Sequence, residues 1–237
     1  MRRSLALPAV AIVATIALGI APVQAEDAGQ PRAKSAEYTI MGDSHFVLMF
    51  SDLYPGAYAN GREGTVIDHQ FRVYALNGIK LSQVVRGRGV VKAGELAVGT
   101  TNVNKWRKAI SSGPDTIVVN LGTNDGGPRA QDIDTLMRLA GKDRRVFWVE
   151  PYYRSCPACR AIHDYELKAA AKRFANFHII KTRDLKLDVS SDGLHAFGKS
   201  SSRALWDRIR ETITPPPAPA PAPAPSPEPS GSVAARG

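Results

Sequence analysis

The sequence predicts an α/β fold: a three-layer α/β/α sandwich with a mostly parallel five-stranded sheet. Short apolar runs rich in strand-forming residues alternate along the chain with segments whose apolar residues recur at helical spacing. One run, "DTIVVNLG" at 115–122, is rich in β-branched residues, as expected of a central strand buried on both faces. Strands that alternate with helices are joined by right-handed crossovers, which produce a parallel sheet.

The expected elements follow one another from residue 38 to residue 213. The predicted strands are 38–41, 69–76, 115–122, 145–151 and 177–181. A first helix is expected to begin near Ser44, and the later helices are predicted at about 102–111, 130–140, 161–175 and 197–213. The last helix has the clearest pattern, because Leu205, Ile209 and Ile213 fall on one face at helical spacing.

The N-terminus has the three parts of a secretory signal peptide. Arg2 and Arg3 form a basic start, an apolar stretch follows from Leu5 to about Val23, and small residues precede a cleavage site after Ala25. An uncleaved membrane anchor is the alternative, because a spanning helix needs roughly 20 apolar residues. We therefore expect a periplasmic or secreted protein without a stable membrane span after cleavage.

The C-terminus is a low-complexity segment of alternating proline and alanine, which favours extended polyproline II over packed structure. It is predicted to be disordered, and envelope association, with the tail as a spacer toward the cell envelope, is the alternative to a tail without a partner. The predicted organisation is a signal peptide at 1–25, a flexible segment at 26–36, one domain at 37–214 and the tail at 215–237.

Charge and cysteine content narrow the classes of partner. The 237 residues carry a formal charge of +9, and no nucleic-acid motif accompanies it, so we expect no nucleic-acid partner. Cys156 and Cys159 lie in "SCPAC" after a late predicted strand. In an exported protein such a pair predicts a disulfide, whereas a zinc site would need further ligands.

Ser44 stands where the first predicted strand, within "YTIMGDSHF" (38–46), meets the first helix. A helix N-terminus stabilises negative charge, so a serine at this position can act as a nucleophile. The alternative is a helix cap, for which Ser and Asp are both preferred. Taken alone, Asp43 and Ser44 favour the cap.

Two later motifs also lie where strands are expected to end or helices to begin. In "NLGTNDGG" (120–127), Asn124 can offer amide donors, although the same residues suit an ordinary loop. In "SSDGLHAFG" (190–198), Asp192 can orient one imidazole nitrogen of His195 while the other meets a hydroxyl. The alternative is a helix start capped by Asp192.

The three motifs together resemble the SGNH/GDSL hydrolase family, and the resemblance covers about residues 37–213. The matching blocks are Gly-Asp-Ser at 42–44, Gly-Thr-Asn-Asp at 122–125 and Asp-Gly-Leu-His at 192–195. The resemblance implies the flavodoxin-like SGNH hydrolase fold. One departure is His45, which stands where the family name expects leucine.

The resemblance also implies a role for each matching residue. Ser44 would be the nucleophile, His195 its base and Asp192 the acid that orients His195. Ser44 would also provide a backbone N–H to the oxyanion hole, together with the side-chain amide of Asn124 and the backbone of Gly78.

The glycine of the oxyanion hole is the least specific of these assignments. Gly78 follows the second predicted strand, as the family would place it, and Gly87 and Gly89 are alternatives.

The sequence also predicts roles for other polar and aromatic residues. His69, His163 and His178 are interpreted as structural, and Asp125 as an acceptor that holds its loop. A further expectation is that three aromatic residues line a pocket: Phe46, Tyr152 and Tyr153.

The implied activity is hydrolysis of acyl esters, with a small-molecule or polysaccharide ester as substrate and no metal or organic cofactor. Carbohydrate O-acetyl groups and short-chain or lipid esters are the candidate substrates. An O-acyltransferase acting on envelope polysaccharide and a catalytically silent module that binds cell wall are the alternatives.

Overall fold

The computed structural model describes residues 36–56, 64–87 and 100–214. The predicted signal peptide, nearly all of the 26–36 segment and the C-terminal tail lie outside these residues, as does the alternative oxyanion residue Gly89. Within the described ranges, every helix is too short or too polar to cross a lipid bilayer.

The described elements alternate along the chain. The strands are β1 (Tyr38–Gly42), β2 (Thr65–Ile67), β3 (Phe71–Ala75), β4 (Thr116–Asn120), β5 (Arg145–Val149) and β6 (Phe177–Ile180). The helices are α1 (Ser44–Leu53), α2 (Leu81–Arg86), α3 (Thr100–Ser112), α4 (Ala130–Ala140), α5 (Pro157–Arg173) and α6 (Gly198–Ile213). A 3₁₀ turn at Thr123–Asp125 follows β4.

The strands form one sheet in the order β2-β3-β1-β4-β5-β6. Strand β2 pairs antiparallel with β3, and every other neighbouring pair is parallel. Without β2, the order of the parallel strands is that of flavodoxin-like sheets, in which ligands bind beyond the carboxyl ends of the strands. The predicted α/β class with a mostly parallel sheet is confirmed, and a short antiparallel edge strand is added to the five expected strands.

The hairpin of β2 and β3 corrects the predicted boundary of the second strand. The strand was expected from residue 69, but Asp68 and His69 have positive φ values of 49° and 58° and form a turn. Ile67 on β2 pairs with Phe71 on β3 across that turn. The pairing therefore begins two residues later than the run of strand-forming residues suggests.

Two apolar cores lie on opposite faces of the sheet. Helices α2, α3, α4 and α5 cover one face, where Trp106 and Trp148 are fully buried. Helices α1 and α6 cover the other, where the rings of Phe50 and Trp206 meet edge to face at 5.3 Å between centroids. Each large side chain buried in this way contributes roughly 1.5–3 kcal/mol of hydrophobic stabilisation. The result is the expected three-layer sandwich.

Helix α5 begins earlier than predicted. It starts at Pro157, inside the "SCPAC" segment, with Cys156 as the preceding cap, whereas the sequence placed its start near residue 161. Proline is tolerated in the first turn of a helix because its missing N–H would have no intrahelical partner there.

The pairing register brings three loops to one edge of the sheet. Gly42, the last residue of β1, pairs with Ala75 at the end of β3 and with Asn120 at the end of β4. The chain leaves all three strands at the same level, so the segments that follow them converge. A Cβ on Gly42 would lie 2.4 Å from the ring of Phe46, so this position requires glycine.

Candidate active site

Ser44 is the first residue of α1, and it is not the residue that caps the helix. Asp43 occupies the cap position and its Oδ1 accepts a hydrogen bond from the backbone N–H of His45 at 3.1 Å. The hydroxyl of Ser44 is thus left available for another contact. Its position at the N-terminus of a ten-residue helix favours negative charge on or near Oγ.

That contact is with His195. Ser44 Oγ lies 2.7 Å from His195 Nε2, although the two residues are 151 positions apart in the chain. The other ring nitrogen, Nδ1, lies 2.5 Å from Asp192 Oδ2. The structure therefore brings together the hydroxyl, the imidazole and the carboxylate that the two motifs suggested. A base oriented by an acid and in contact with a hydroxyl is the arrangement that activates a serine.

A tight loop before α6 holds Asp192 and His195 on the same side. The backbone N–H of Ser190 donates to the carbonyl of His195 at 2.9 Å, and Val189 bridges to Ala196. The sequence left open a cap on the following helix, but α6 begins at Gly198 and has no side-chain cap. Asp192 thus organises the loop and does not cap the helix.

The second carboxylate oxygen of Asp192 is held by three donors. The hydroxyl of Ser190 donates to Oδ1, as do the backbone N–H groups of Leu194 at 2.8 Å and His195 at 3.2 Å. The Ser190 hydroxyl is the largest cause that holds the pKa of Asp192 well below its ordinary value. Asp192 therefore stays ionised at neutral pH and can stabilise positive charge on His195.

Gly78 and Asn124 lie in the loops that follow the two strands next to β1. Gly78 has a φ of 73° in the turn after β3, and Asn124 lies in the 3₁₀ turn after β4. The side-chain amide of Asn124 donates one hydrogen to the carbonyl of Ile79 at 3.1 Å and has a second N–H to offer. No described residue accepts a hydrogen bond from the backbone N–H of Ser44 or Gly78. Gly87, the alternative to Gly78, ends α2 instead.

Asp125 ties these two loops together. Its carboxylate accepts hydrogen bonds from the backbone N–H of Leu81 and the hydroxyl of Ser82, both at 2.7 Å. These donors are the first two residues of α2, so Asp125 anchors the helix that begins directly after the Gly78 turn. The side chain holds its loop, as the sequence suggested.

The segment before α5 supports the Asp192 loop from outside. Cys156 and Cys159 form a disulfide. Just before it, the backbone N–H of Arg154 donates to the carbonyl of Gly193 at 2.8 Å, and the Ser155 hydroxyl donates to the carbonyl of Asp192 at 2.8 Å. Gly193 has a φ of 70°, and a Cβ there would lie 2.7 Å from that of Ser155, so the close contact requires glycine.

Only part of the expected aromatic pocket is present. Tyr152 and Tyr153 line a cavity of about 220 Å³ with three arginines, namely Arg154, Arg160 and Arg183. Phe46 is fully buried in the core between α1 and the sheet, so its assignment to a pocket was wrong. Phe46 lies two positions after Ser44 on α1 and faces the sheet.

The other histidines differ in their surroundings. His163 is buried, and its Nδ1 lies 3.2 Å from the hydroxyl of Tyr153. Burial lowers the pKa of His163 to about 4, so this histidine is neutral near pH 7. His178 is exposed on β6, and His69 lies in the turn before β3.

Sequence reasoning missed the contacts of His45. Its Nδ1 lies 2.9 Å from Asp43 Oδ1, and its Nε2 lies 3.0 Å from the carbonyl oxygen of Leu194. Its ring is 4.8 Å from that of His195, centroid to centroid. The one available signal was that His45 departs from the family motif at the position directly after Ser44.

Comparisons with known proteins bear on the fold. No family model matches the sequence, and no curated protein matches it significantly. Among solved structures, the catalytic domain of peptidoglycan O-acetyltransferase A from Streptococcus pneumoniae is 14% identical, with a TM-score of 0.51 over 75% of this chain and 92% of that one.

Two further solved structures are similar at lower scores. A carbohydrate acetylesterase family member from Sinorhizobium meliloti is 14% identical, with a TM-score of 0.48 over 75% of this chain and 97% of that one. A member of the lipolytic G-D-S-L family from Veillonella parvula is 15% identical, with a TM-score of 0.49 over 76% of this chain and 98% of that one. From its sheet order and its likeness to the peptidoglycan O-acetyltransferase domain, the protein has the flavodoxin-like α/β fold that the resemblance to the SGNH/GDSL hydrolases implied.

Proposed function

We propose that the protein is a serine hydrolase that cleaves acyl esters. One observation carries the proposal: Ser44 Oγ lies 2.7 Å from His195 Nε2, whose other ring nitrogen lies 2.5 Å from Asp192 Oδ2. This chain of contacts runs between a hydroxyl at a helix N-terminus and an ionised carboxylate. It has the composition and order that acyl transfer through a serine needs.

The proposed reaction begins with attack on the ester carbonyl. His195 Nε2 takes the proton from Ser44 as Oγ bonds to the carbonyl carbon, and the carbonyl π electrons move onto oxygen. The collapsing tetrahedral intermediate expels the alcohol, which receives the proton from His195. Water then attacks the acyl-serine in the same way, releasing the acid and restoring the Ser44 hydroxyl. Asp192 stabilises the imidazolium in both halves of the reaction.

The proposed oxyanion hole uses donors from three neighbouring strand ends. The backbone N–H groups of Ser44 and Gly78 have no acceptor among the described residues, and the amide of Asn124 has one N–H beyond its bond to Ile79. Donors already oriented toward developing negative charge stabilise a transition state strongly. Losing one typically costs about 3–4 kcal/mol of that stabilisation.

The proposed substrate class is carbohydrate O-acetyl groups or short-chain and lipid esters, and the proposed location is outside the cytoplasm. The signal-like N-terminus and the Cys156–Cys159 disulfide support export, because disulfides persist in oxidising compartments. Transfer to a sugar hydroxyl is the second candidate, favoured by the fold likeness to the domain of a peptidoglycan O-acetyltransferase. It would use the same residues with an alcohol in place of water.

The test is hydrolysis of a panel of nitrophenyl acyl esters and acetylated polysaccharide by the purified protein. We expect wild-type turnover and a loss of at least 10³-fold in Ser44→Ala, since the nucleophile is removed. Ser111→Ala, which removes an exposed hydroxyl on α3, is the matched control and should leave the rate unchanged.

Equal rates in wild type and Ser44→Ala would exclude Ser44 from the reaction. Product analysis in the presence of a glycan acceptor separates the two candidates. Free acid alone supports hydrolysis, whereas an acylated glycan supports transfer.

A further inference from the structure

His45 links the nucleophile's helix to the loop that carries His195. One ring nitrogen lies 2.9 Å from the carboxylate of Asp43, at the start of α1. The other lies 3.0 Å from the carbonyl oxygen of Leu194, which is 149 residues away and directly precedes His195. The side chain is 5% exposed, so water does not replace either contact readily.

Both partners of the His45 ring are hydrogen-bond acceptors. A neutral imidazole donates from only one nitrogen, whereas an imidazolium donates from both. The carboxylate of Asp43 is fully buried, and its Oδ2 has no hydrogen-bond partner among the described residues. A buried carboxylate needs a nearby positive charge to offset its desolvation, and His45 is in position to supply it.

The groups around His45 come from several elements. The titratable groups that face it or interact with its charge are Asp43 after β1, Glu150 and Tyr152 after β5, His163 on α5, and Asp192 and His195 before α6. Burial lowers the pKa of His45, but the charge and hydrogen bond of Asp43 and the carbonyl of Leu194 outweigh it. The pKa therefore lies above the ordinary 6.5.

We propose that doubly protonated His45 is a positioning residue that fastens the His195 loop to the N-terminus of α1 and so keeps His195 against Ser44. Its effect on turnover rests on the hydrolase function proposed above. The imidazolium donates one N–H to Asp43 and one to the Leu194 carbonyl. The second hydrogen bond fixes the position of Leu194 and therefore of His195, the next residue in the chain.

Deprotonation would break this link. Neutral His45 retains the N–H that faces the Asp43 carboxylate, because that acceptor is charged. Its Nε2 lone pair then faces the lone pairs of the Leu194 carbonyl, and the two repel each other. The loop would move away from α1, the contact between Ser44 and His195 would lengthen, and turnover would fall as pH rises.

The kinetic test uses His45→Gln and His45→Leu, the second of which places the family's residue at this position. His178→Gln, which replaces an exposed side chain on β6, is the control. We expect the wild type and the control to lose kcat/KM at alkaline pH, with a midpoint above 6.5. Both His45 variants should have a kcat/KM at least about tenfold lower at pH 7, and their kcat/KM should lack that alkaline decline. Variants that keep both the wild-type rate and the alkaline decline overturn the proposal.

A second measurement uses only the wild-type protein and does not depend on its catalytic activity. In ¹⁵N-labelled wild-type protein at pH 6, the ring of His45 should show two protonated nitrogens in its NMR spectrum. The backbone amide of His195 should shift with the same midpoint as His45 when the pH is raised. A neutral His45 ring at pH 6, or an unresponsive His195 amide, overturns the proposal. Absence of Ser44-dependent hydrolysis alongside the expected spectra would instead overturn only the proposed function.

Discussion

Asp43 and Ser44 divide two tasks that small polar residues perform where a helix begins. The Asp43 carboxylate caps α1 by accepting from the backbone N–H of His45, so the Ser44 hydroxyl makes no cap bond. It meets His195 instead, at 2.7 Å. From the sequence alone either residue suits the cap, and only the geometry distinguishes them.

Asp192 is expected to matter for rate more than for folding. Asp192→Asn keeps the shape but removes the negative charge beside His195, so the ring loses its orientation and its stabilised charged form. We expect kcat to fall on the order of 10⁴-fold, the effect typical of the acid in such triads. Steady-state kinetics measure it.

Asp184→Asn is the control for that substitution, because Asp184 pairs with Arg208 at the surface, with oxygen–nitrogen distances of 2.8 and 2.9 Å. Its kcat should match wild type. A change of less than tenfold in Asp192→Asn would show that this carboxylate does not support the base.

His163 makes the stability of the fold depend on pH. Its pKa is about 4 when folded, mainly because of burial, whereas an unfolded chain has a value near 6.5. As pH falls from 6.5 to 4, His163 binds a proton in the unfolded state but stays neutral in the folded state. The free energy of unfolding should therefore drop by up to about 3 kcal/mol over that interval.

Urea unfolding at several pH values tests this. His163→Leu should be less stable near pH 7, because it loses the hydrogen bond to Tyr153, yet its stability should decline less between pH 6.5 and 4. His178→Gln should keep the wild-type slope, because His178 is exposed. Parallel curves for His163→Leu and wild type would mean that His163 titrates normally.

Helix α2 and the 3₁₀ turn after β4 together hold the two loops that carry the proposed oxyanion donors. Asp125 in the turn accepts from the first two residues of α2, and Asn124 beside it donates to Ile79 just before the helix. The turn that carries Gly78 is therefore held from both sides. A six-residue helix has little stability of its own, so this anchoring decides its position.

Asp125→Ala should therefore affect both stability and rate. Loss of the two acceptor contacts should cost about 1–2 kcal/mol of unfolding free energy. Displacement of the Gly78 turn should lower kcat, because small misplacements of catalytic groups cost up to about 10²-fold. Thermal unfolding and esterase kinetics measure the two effects.

Asp134→Ala is the control variant. Asp134 on α4 forms a surface ion pair with Arg173 on α5, with 2.8 Å between Oδ1 and the guanidinium nitrogen. Surface pairs contribute at most about 1 kcal/mol, and this one is not part of the site. Wild-type kcat in Asp125→Ala would contradict a link between the anchor and the oxyanion donors.

The packing of α1 against α6 brings together the two chain segments that carry the proposed triad. Ser44 begins α1, and the His195 loop leads directly into α6. Between the helices, the Ser202 hydroxyl donates to Asp52 at 2.7 Å, and Trp206 Nε1 donates to the hydroxyl of Tyr54 at 3.0 Å. Together with the buried rings, these contacts hold segments from opposite ends of the domain at one edge of the sheet.

Most of the architecture was predictable because its strands are long and apolar enough to show a pattern. Strand β2 was missed because three residues, Thr65–Ile67, are too few to show alternation. Helix α2 was missed because its six residues are too few to show a helical repeat. The start of α5 was misplaced because the pattern of cysteines around Pro157 suggested a loop.

At the site, the motifs led to Ser44, Asp192 and His195, which the structure brings into contact. The contact of His45 with the Leu194 carbonyl was not predictable, because a backbone oxygen has no signature in sequence. The sequence likewise could not show that the backbone N–H of Gly78 lacks an acceptor among the described residues, because this depends on the conformation of the turn after β3.

The central claim is that distant chain segments converge to activate Ser44, and covalent labelling with a fluorophosphonate tests it most directly. We predict that mass spectrometry of labelled wild-type protein finds the phosphonyl group on the peptide containing Ser44. Labelling should slow by at least 10³-fold in His195→Gln, because the proton acceptor is gone. A label on another residue, or equal labelling rates in wild type and His195→Gln, would contradict the account.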